Sequence, residues 1–305
     1  MTTASAAPAV SPFSASSSAG REVTDWTWES VYPAPAKLNL FLHVVGRRAD
    51  GYHCLQTAFR FVGHGDGLRF TPRDDEQLRL VTPLPGVPPE RDLTIRAARL
   101  LQAETGCRRG VDIAVDKRLP MGGGLGGGSS DAATTLLALN HLWQLGLSRQ
   151  RLQEIGLALG ADVPVFVFGE NAFAEGVGEE LRPLSLPPAC YLVIESPVEV
   201  PTALVFSAPD LVRDTPPLAP AAWQPGEGHN DLEAVVVARF PAVAERLTWL
   251  SGFARARMTG SGACVFAEFA DRAQAEVVWR QMPAHFSGWL ADGLSRHPLH
   301  ALVEG

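Results

Sequence analysis

A chain of 305 residues with 46% apolar side chains is long enough for two domains of ordinary size with real cores. Its net charge of −7 speaks against a general nucleic-acid binder, and no apolar run reaches the roughly 18–20 residues that span a bilayer. Cys54, Cys107, Cys190 and Cys264 are scattered without metal-ligand spacing and the eight histidines contain no H-E-x-x-H, so buried thiols in a reducing cytoplasm and no structural zinc are expected.

The chain opens on Ala, Ser, Thr and Pro with almost no charge. Lacking a basic start and a continuous apolar core, residues 1–26 read as a disordered tail rather than a secretory signal. Residues 38–45 alternate. Leu38, Leu40, Leu42 and Val44 fall on one face and Lys37, Asn39, Phe41 and His43 on the other, the period-2 pattern of a strand. A turn over 46–51 precedes strands expected at 57–62 and 67–71. Residues 92–106 read as a helix with Asp92 as N-cap and Gly106 just past its end. A strand follows at 111–115, then an amphipathic helix over 129–145 closed by Gly146. A second helix over 148–159 is capped by Ser148, and a short apolar strand is expected at 163–168. Beyond Gly169, strands at 189–194 and 263–269 alternate with helices at 202–206, 231–240 and 272–281, and the Pro/Gly-rich stretch 209–228 reads as a long surface loop. The partition expected is a nucleotide domain over 27–172 and a C-terminal α+β domain over 173–305, with no internal repeat.

The feature richest in chemistry is Pro120-Met121-Gly122-Gly123-Gly124-Leu125-Gly126-Gly127-Gly128-Ser129-Ser130, which runs straight into a helix. Glycine allows positive φ and close approach of a ligand to the main chain, and a helix start offers unpaired N–H groups, so the pair makes a phosphate cradle. Ser129 and Ser130 are good capping residues and can also hydrogen-bond phosphate. A Walker A loop would end in Gly-Lys-[Ser/Thr], and no Lys stands here. The literal G-x-G-x-x-G of Gly122, Gly124 and Gly127 lies too far from the preceding strand for a dinucleotide turn. No H-R-D or D-F-G follows, which excludes a protein kinase.

The remaining pattern, Pro-x₃-Gly-Leu-Gly-x-Gly-Ser-Ser opening a helix, resembles the phosphate loop of the galactokinase, homoserine kinase, mevalonate kinase and phosphomevalonate kinase (GHMP kinase) superfamily. Further blocks lie in order around it. They are Pro35-Ala36-Lys37-Leu38-Asn39-Leu40, Gly46-Arg47-Arg48-Ala49-Asp50-Gly51-Tyr52-His53, Gly160-Ala161-Asp162-Val163-Pro164 and Met258-Thr259-Gly260-Ser261-Gly262. Together they resemble the 4-diphosphocytidyl-2-C-methyl-D-erythritol kinase family within that superfamily, from about Tyr32 to Leu302. On residues alone, Asp162 suits a turn cap as well as a functional carboxylate, and Lys37 suits a solvated strand face.

The resemblance implies an α+β, two-domain GHMP kinase fold. Its N-terminal nucleotide domain would be ribosomal-protein-S5-domain-2-like and its C-terminal domain a ferredoxin-like α/β sandwich. It implies ATP and Mg²⁺ as cofactors and phosphorylation of the 2-hydroxyl of 4-diphosphocytidyl-2-C-methyl-D-erythritol in the non-mevalonate isoprenoid pathway. Asp162 would be the catalytic base, with Lys37 stabilising developing negative charge and Asn39 holding substrate. Tyr52 and Phe206 would stack on the cytosine, His53 would hydrogen-bond its edge, and Thr202 would contact the ligand. The loop from Pro120 to Ser130, with Lys117 before it, would bind ATP. Asp131 is open to a magnesium contact, the metal ligands being undetermined. Asp92 stands where relatives often carry Asn, so its nucleotide role is open while its capping role stands. A cytoplasmic monomer or weak homodimer acting on a small molecule, without nucleic acid or membrane, is expected. The alternatives are another GHMP small-molecule kinase acting on mevalonate or homoserine, a non-catalytic nucleotide-binding relative and, more distantly, a nicotinamide-dependent dehydrogenase.

Overall fold

A computed structural model describes residues 25–84 and 86–303; the predicted tail lies outside them up to residue 24. Strand β1 (Tyr32–Arg47) pairs antiparallel with β2 (His53–Arg73). Next come β3 (Leu78–Leu80), α1 (Leu93–Thr105), β4 (Gly110–Asp116), α2 (Gly127–Leu142), α3 (Arg149–Leu157) and α4 (Val163–Phe168), then β5 (Ala172–Glu175) and β6 (Glu180–Pro183). These strands form one sheet of order β3-β4-β2-β5-β6 with β1 on β2. The second half holds β7 (Cys190–Glu195), α5 (Thr202–Phe206), α6 (Asp231–Arg239), α7 (Pro241–Ser251), β8 (Ala256–Met258), β9 (Val265–Phe269), α8 (Arg272–Trp279) and β10 (Ser287–Asp292). Its antiparallel sheet runs β10-β7-β9-β8.

The two strands expected at 57–62 and 67–71 are one long strand, β2. The intervening Gly63 and Gly65 hide this in sequence. Gly65 is needed because a Cβ there would sit 2.1 Å from the Ala34 carbonyl oxygen of β1, beside a register shift at Pro35/Ala36. The alternation in β1 also misleads, since Tyr32 through Val44 is buried on both faces. The strand begins in the core of the first domain at Tyr32 and Ala34. It crosses an interdomain cluster at Leu38, Leu40 and Phe41 and ends in the second core at Leu42 and Val44.

Residues 163–168 are helical, not the strand expected. The run Val-Pro-Val-Phe-Val-Phe is apolar throughout, and a short buried run carries no periodicity that separates helix from strand. Pro164 in the first turn and Gly169 at φ 77° after the last turn select the helix. Helix α2 begins at Gly127 with Gly126 as its cap, so Ser129 and Ser130 lie inside its first turn rather than capping it. Asp92, Gly106 and Ser148 act as the caps expected of them. Helix α7 and the short strands β3, β5, β6, β8 and β10 carry too little pattern to be seen beforehand.

The stretch 209–228 is lashed to the body. Trp223 is 6% exposed beside Phe41, the Thr215 amide donates to the Val44 carbonyl, and the Leu218 amide donates to Gln56 Oε1. The end of the chain returns to the first domain. Leu299 and Val303 join its core, and Arg149 donates to the His300 carbonyl. Among the described residues no helix is long and apolar enough to cross a membrane.

Candidate active site

One cavity of about 980 Å³ is lined by the glycine loop, Lys37 and Asn39 of β1, Asp162, the turn at Tyr52 and His53, Thr202 and Phe206 of α5, and Gly260-Ser261. The loop is shaped by its surroundings. Gly124, at φ 75°, approaches Thr259 so closely that a Cβ would lie 2.1 Å from its carbonyl oxygen. The amides of Lys37, Ala263 and Cys264 donate to the carbonyls of Leu125, Gly122 and Gly123, at 3.0, 3.1 and 3.1 Å. With those carbonyls tied back, Gly126 to Ser129 line the cavity at the positive end of the sixteen-residue α2. That arrangement fits the phosphates of a nucleotide.

Lys37 Nζ lies 3.3 Å from Asp162 Oδ2 and donates to Asn39 Oδ1 at 2.6 Å. Asn39 is oriented in turn by its Nδ2 donating to Thr57 Oγ1 at 2.9 Å and by Thr259 Oγ1 accepting its amide. Lys37 is 4% exposed and Asp162 38%, so a buried ammonium is aimed at a carboxylate that opens on the cavity. Asp162 occupies the cap position of α4 but makes no side-chain cap bond, which removes capping as its role. A carboxylate beside a fixed cation can accept a hydroxyl proton while the cation stabilises the oxyanion formed.

At the other wall the His53 and Phe206 rings lie 5.0 Å apart, and Tyr52, 65% exposed, projects from the same turn. The turn is held by Asp50 Oδ1 accepting the Tyr52 amide. Thr202 Oγ1 and Ser261 Oγ are 2.8 Å apart across the cavity mouth. Arg213, which no pattern in the long Pro/Gly-rich stretch marks out, donates its Nε to His53 Nε2 at 3.1 Å.

Four residues considered for ligand contact are otherwise engaged. Ser130 is fully buried and its hydroxyl donates to the Pro35 carbonyl, so it ties α2 to β1 instead of facing the cavity. Lys117 lines the cavity but its ammonium bridges Asp66 Oδ2 at 2.6 Å and Asp131 Oδ2 at 2.7 Å. Asp131 is therefore committed to Lys117. Burial pushes its carboxyl well above the ordinary range, Lys117 opposing and Asp66 adding to the shift. Among the described residues no group of three or more His, Cys, Asp or Glu side chains could hold a metal. Asp92 Oδ1 accepts from the amides of Thr94 and Ile95 and is spent on α1. Next to it Leu84, Val87 and Leu93 give the cavity an apolar end suited to a flat base; lying in irregular chain or at a helix start, they offered no pattern to read.

The family models for the GHMP kinases N terminal domain and the GHMP kinases C terminal match residues 92–170 and 219–288. The chain is 64% identical over 270 residues to a 4-diphosphocytidyl-2-C-methyl-D-erythritol kinase of Dechloromonas aromatica, covering 88% of this chain and 98% of that one. It is 58% identical to the protein of the same name from Aromatoleum aromaticum, over 89% of this chain and 95% of the relative. A solved 4-(cytidine 5'-diphospho)-2C-methyl-D-erythritol kinase superposes with a TM-score of 0.75 at 35% identity, covering 87% and 99% of the two chains. A mevalonate kinase from Methanococcus jannaschii shares the fold at TM-score 0.65 and 12% identity, over 87% of this chain and 98% of that one. Sequence blocks, site geometry and these likenesses agree: the chain belongs to the 4-diphosphocytidyl-2-C-methyl-D-erythritol kinase family of the GHMP kinases.

Proposed function

We propose that this protein transfers the γ-phosphoryl group of ATP to the 2-hydroxyl of 4-diphosphocytidyl-2-C-methyl-D-erythritol, a step of the non-mevalonate route to isoprenoids. The observation that carries the reading is the placement of the Lys37–Asp162 pair in the same cavity as the phosphate loop on one side and His53, Phe206 and Tyr52 on the other. Relatives of 56–64% identity bear that substrate in their names.

In this reading Asp162 accepts the hydroxyl proton as the oxygen attacks, and Lys37 holds the carboxylate and the reacting oxygen in register. Asn39 keeps the ammonium of Lys37 pointed at Asp162. Amides at the start of α2 grip the phosphates. Bound ATP supplies the phosphoryl group and Mg²⁺ shields its charge. Among the described residues no cluster of carboxylates is placed to cage the ion, so Mg²⁺ would be held chiefly through the bound nucleotide. Tyr52 and Phe206 sandwich the cytosine and His53 meets its edge.

The finer architecture follows the same lineage. The second sheet, counted within its own half, runs fourth-first-third-second with helices between, which supports the ferredoxin-like description. The first half takes the S5-domain-2-like description. The boundary expected at 172/173 moves to the segment between β6 and β7, because β5 and β6 pair into the first sheet, and the returning end at Leu299–Val303 also serves the first core. All four cysteines are free, which supports a reducing cytoplasmic setting. A monomer or weak homodimer suffices for a site built from one chain.

Incubating the protein with Mg-ATP and each of 4-diphosphocytidyl-2-C-methyl-D-erythritol, mevalonate and homoserine tests the assignment through ADP release. Release with the cytidylyl compound alone is expected, and release with either other acceptor would overturn it. Tyr52→Ala is expected to raise KM for the cytidylyl substrate by about tenfold, the scale of one lost base–aromatic stack, and to leave KM for ATP unchanged. Equal effects on both would remove Tyr52 from the base contact.

A further inference from the structure

His53 has two ring nitrogens, and the structure commits one of them. Arg213 Nε donates to His53 Nε2 at 3.1 Å, and an arginine donates only. His53 Nε2 must then be an unprotonated acceptor, so the ring proton of neutral His53 sits on Nδ1. Nδ1 has no partner among the described residues, and His53 lines the cavity. The guanidinium is itself fixed. It donates to the carbonyls of Phe206 at 2.9 Å, Ala208 at 2.7 Å and Leu211 at 2.9 Å, so one side chain clasps the end of α5 and aims at His53.

We infer that Arg213 is a positioning residue that locks His53 as a hydrogen-bond donor at Nδ1, giving the cavity a preference for cytosine-type over uracil-type base edges. The proposal rests on the reading of His53 as the contact to the base edge. Cytosine presents N3 and O2 as adjacent acceptors, which an imidazole N–H can meet. Uracil carries a proton on N3, so two donors would face each other there. A site built around a fixed donor rejects the mismatched edge because both groups are left unpaired. His53 also meets Arg47, and burial, Arg213 and Arg47 all push its pKa down. The ring therefore stays neutral through physiological pH, as its acceptor role requires.

The tautomer is read directly in the unsubstituted protein labelled with [¹⁵N]histidine, with His53→Gln identifying the signal. The Nδ1–H pattern is expected in wild type, and an Nε2–H pattern would overturn the role of Arg213 whatever the substrate. Steady-state kinetics supply the second arm. Arg213→Leu is expected to raise KM for the cytidylyl substrate about tenfold with KM for ATP unchanged. It should also cut the cytidylyl-to-uridylyl ratio of kcat/KM by about tenfold or more. A ratio unmoved in a folded variant would overturn the specificity claim. Unchanged KM for the cytidylyl substrate in His53→Gln would remove the underlying base contact, a failure separate from that of the tautomer.

Discussion

Asp162→Asn is expected to lower kcat by at least about 10²-fold while ATP binding survives, the usual contribution of a general base. The substitution is close to isosteric and the position is partly open, so the fold has little reason to change. It removes the acceptor for the hydroxyl proton and the partner 3.3 Å from Lys37 Nζ. Lys37 keeps its bond to Asn39 Oδ1, so the ammonium is not orphaned. Measuring ADP release alongside nucleotide affinity separates the two effects. Near-normal turnover would mean that the acceptor loses its proton elsewhere, and Asp162 would be left as an electrostatic anchor for Lys37.

The second large effect concerns stability. Lys117 is the ammonium between two buried carboxylates, and Asp66 is further bonded by the amides of Arg118 and Leu119. With Asp131 holding its proton at neutral pH, removing the ammonium leaves the buried Asp66 without its cation, so Lys117→Met is expected to cost about 3–5 kcal/mol. A urea titration reads this as a lower midpoint, and an unchanged midpoint would mean that Asp66 also neutralises by taking up a proton. The companion variant works in the opposite direction. Asp131 has a raised pKa in the folded state, so the folded protein keeps a proton that the unfolded chain releases above about pH 4. That contribution favours folding less and less as pH climbs from there through the raised folded value. Asp131→Asn is expected to match wild type near pH 4 and to exceed it near pH 8. A constant gap between the two curves would exclude the titration of Asp131 as its source.

What could be read beforehand was local chemistry. The glycine loop announces itself because its function needs glycines in contiguous chain. Asp92, Gly106 and Ser148 announce themselves because a cap is a three-residue event. Lys37, Asn39, Asp162, Tyr52, His53, Thr202 and Phe206 are separate in sequence, and the fold brings them to one cavity. What could not be read depends on tertiary surroundings. The helix at Val163–Phe168 is chosen by its caps and by burial against α2 and α3, since its residue types favour a strand. Lys37 is buried by the glycine loop folding over it beside Phe59, and His43 by His229 of the second half, neither of which the strand's own pattern shows. Ser130 looks like a phosphate ligand in sequence, but its rotamer answers to the Pro35 carbonyl. Arg213 sits in a stretch without periodicity, and its role exists only because that stretch folds back under α5.

The loop's carbonyls are held by the amides of Ala263 and Cys264, Thr259 closes on Gly124, and β1 threads both cores. The consequence is one of modularity. The halves are separate in topology but not in manufacture: neither can be expressed alone with its half of the site correctly formed, because the cradle's outer wall belongs to the other half. A chimaera that exchanges C-terminal halves between relatives must carry the glycine loop together with the turn from Met258 to Cys264 as one cassette.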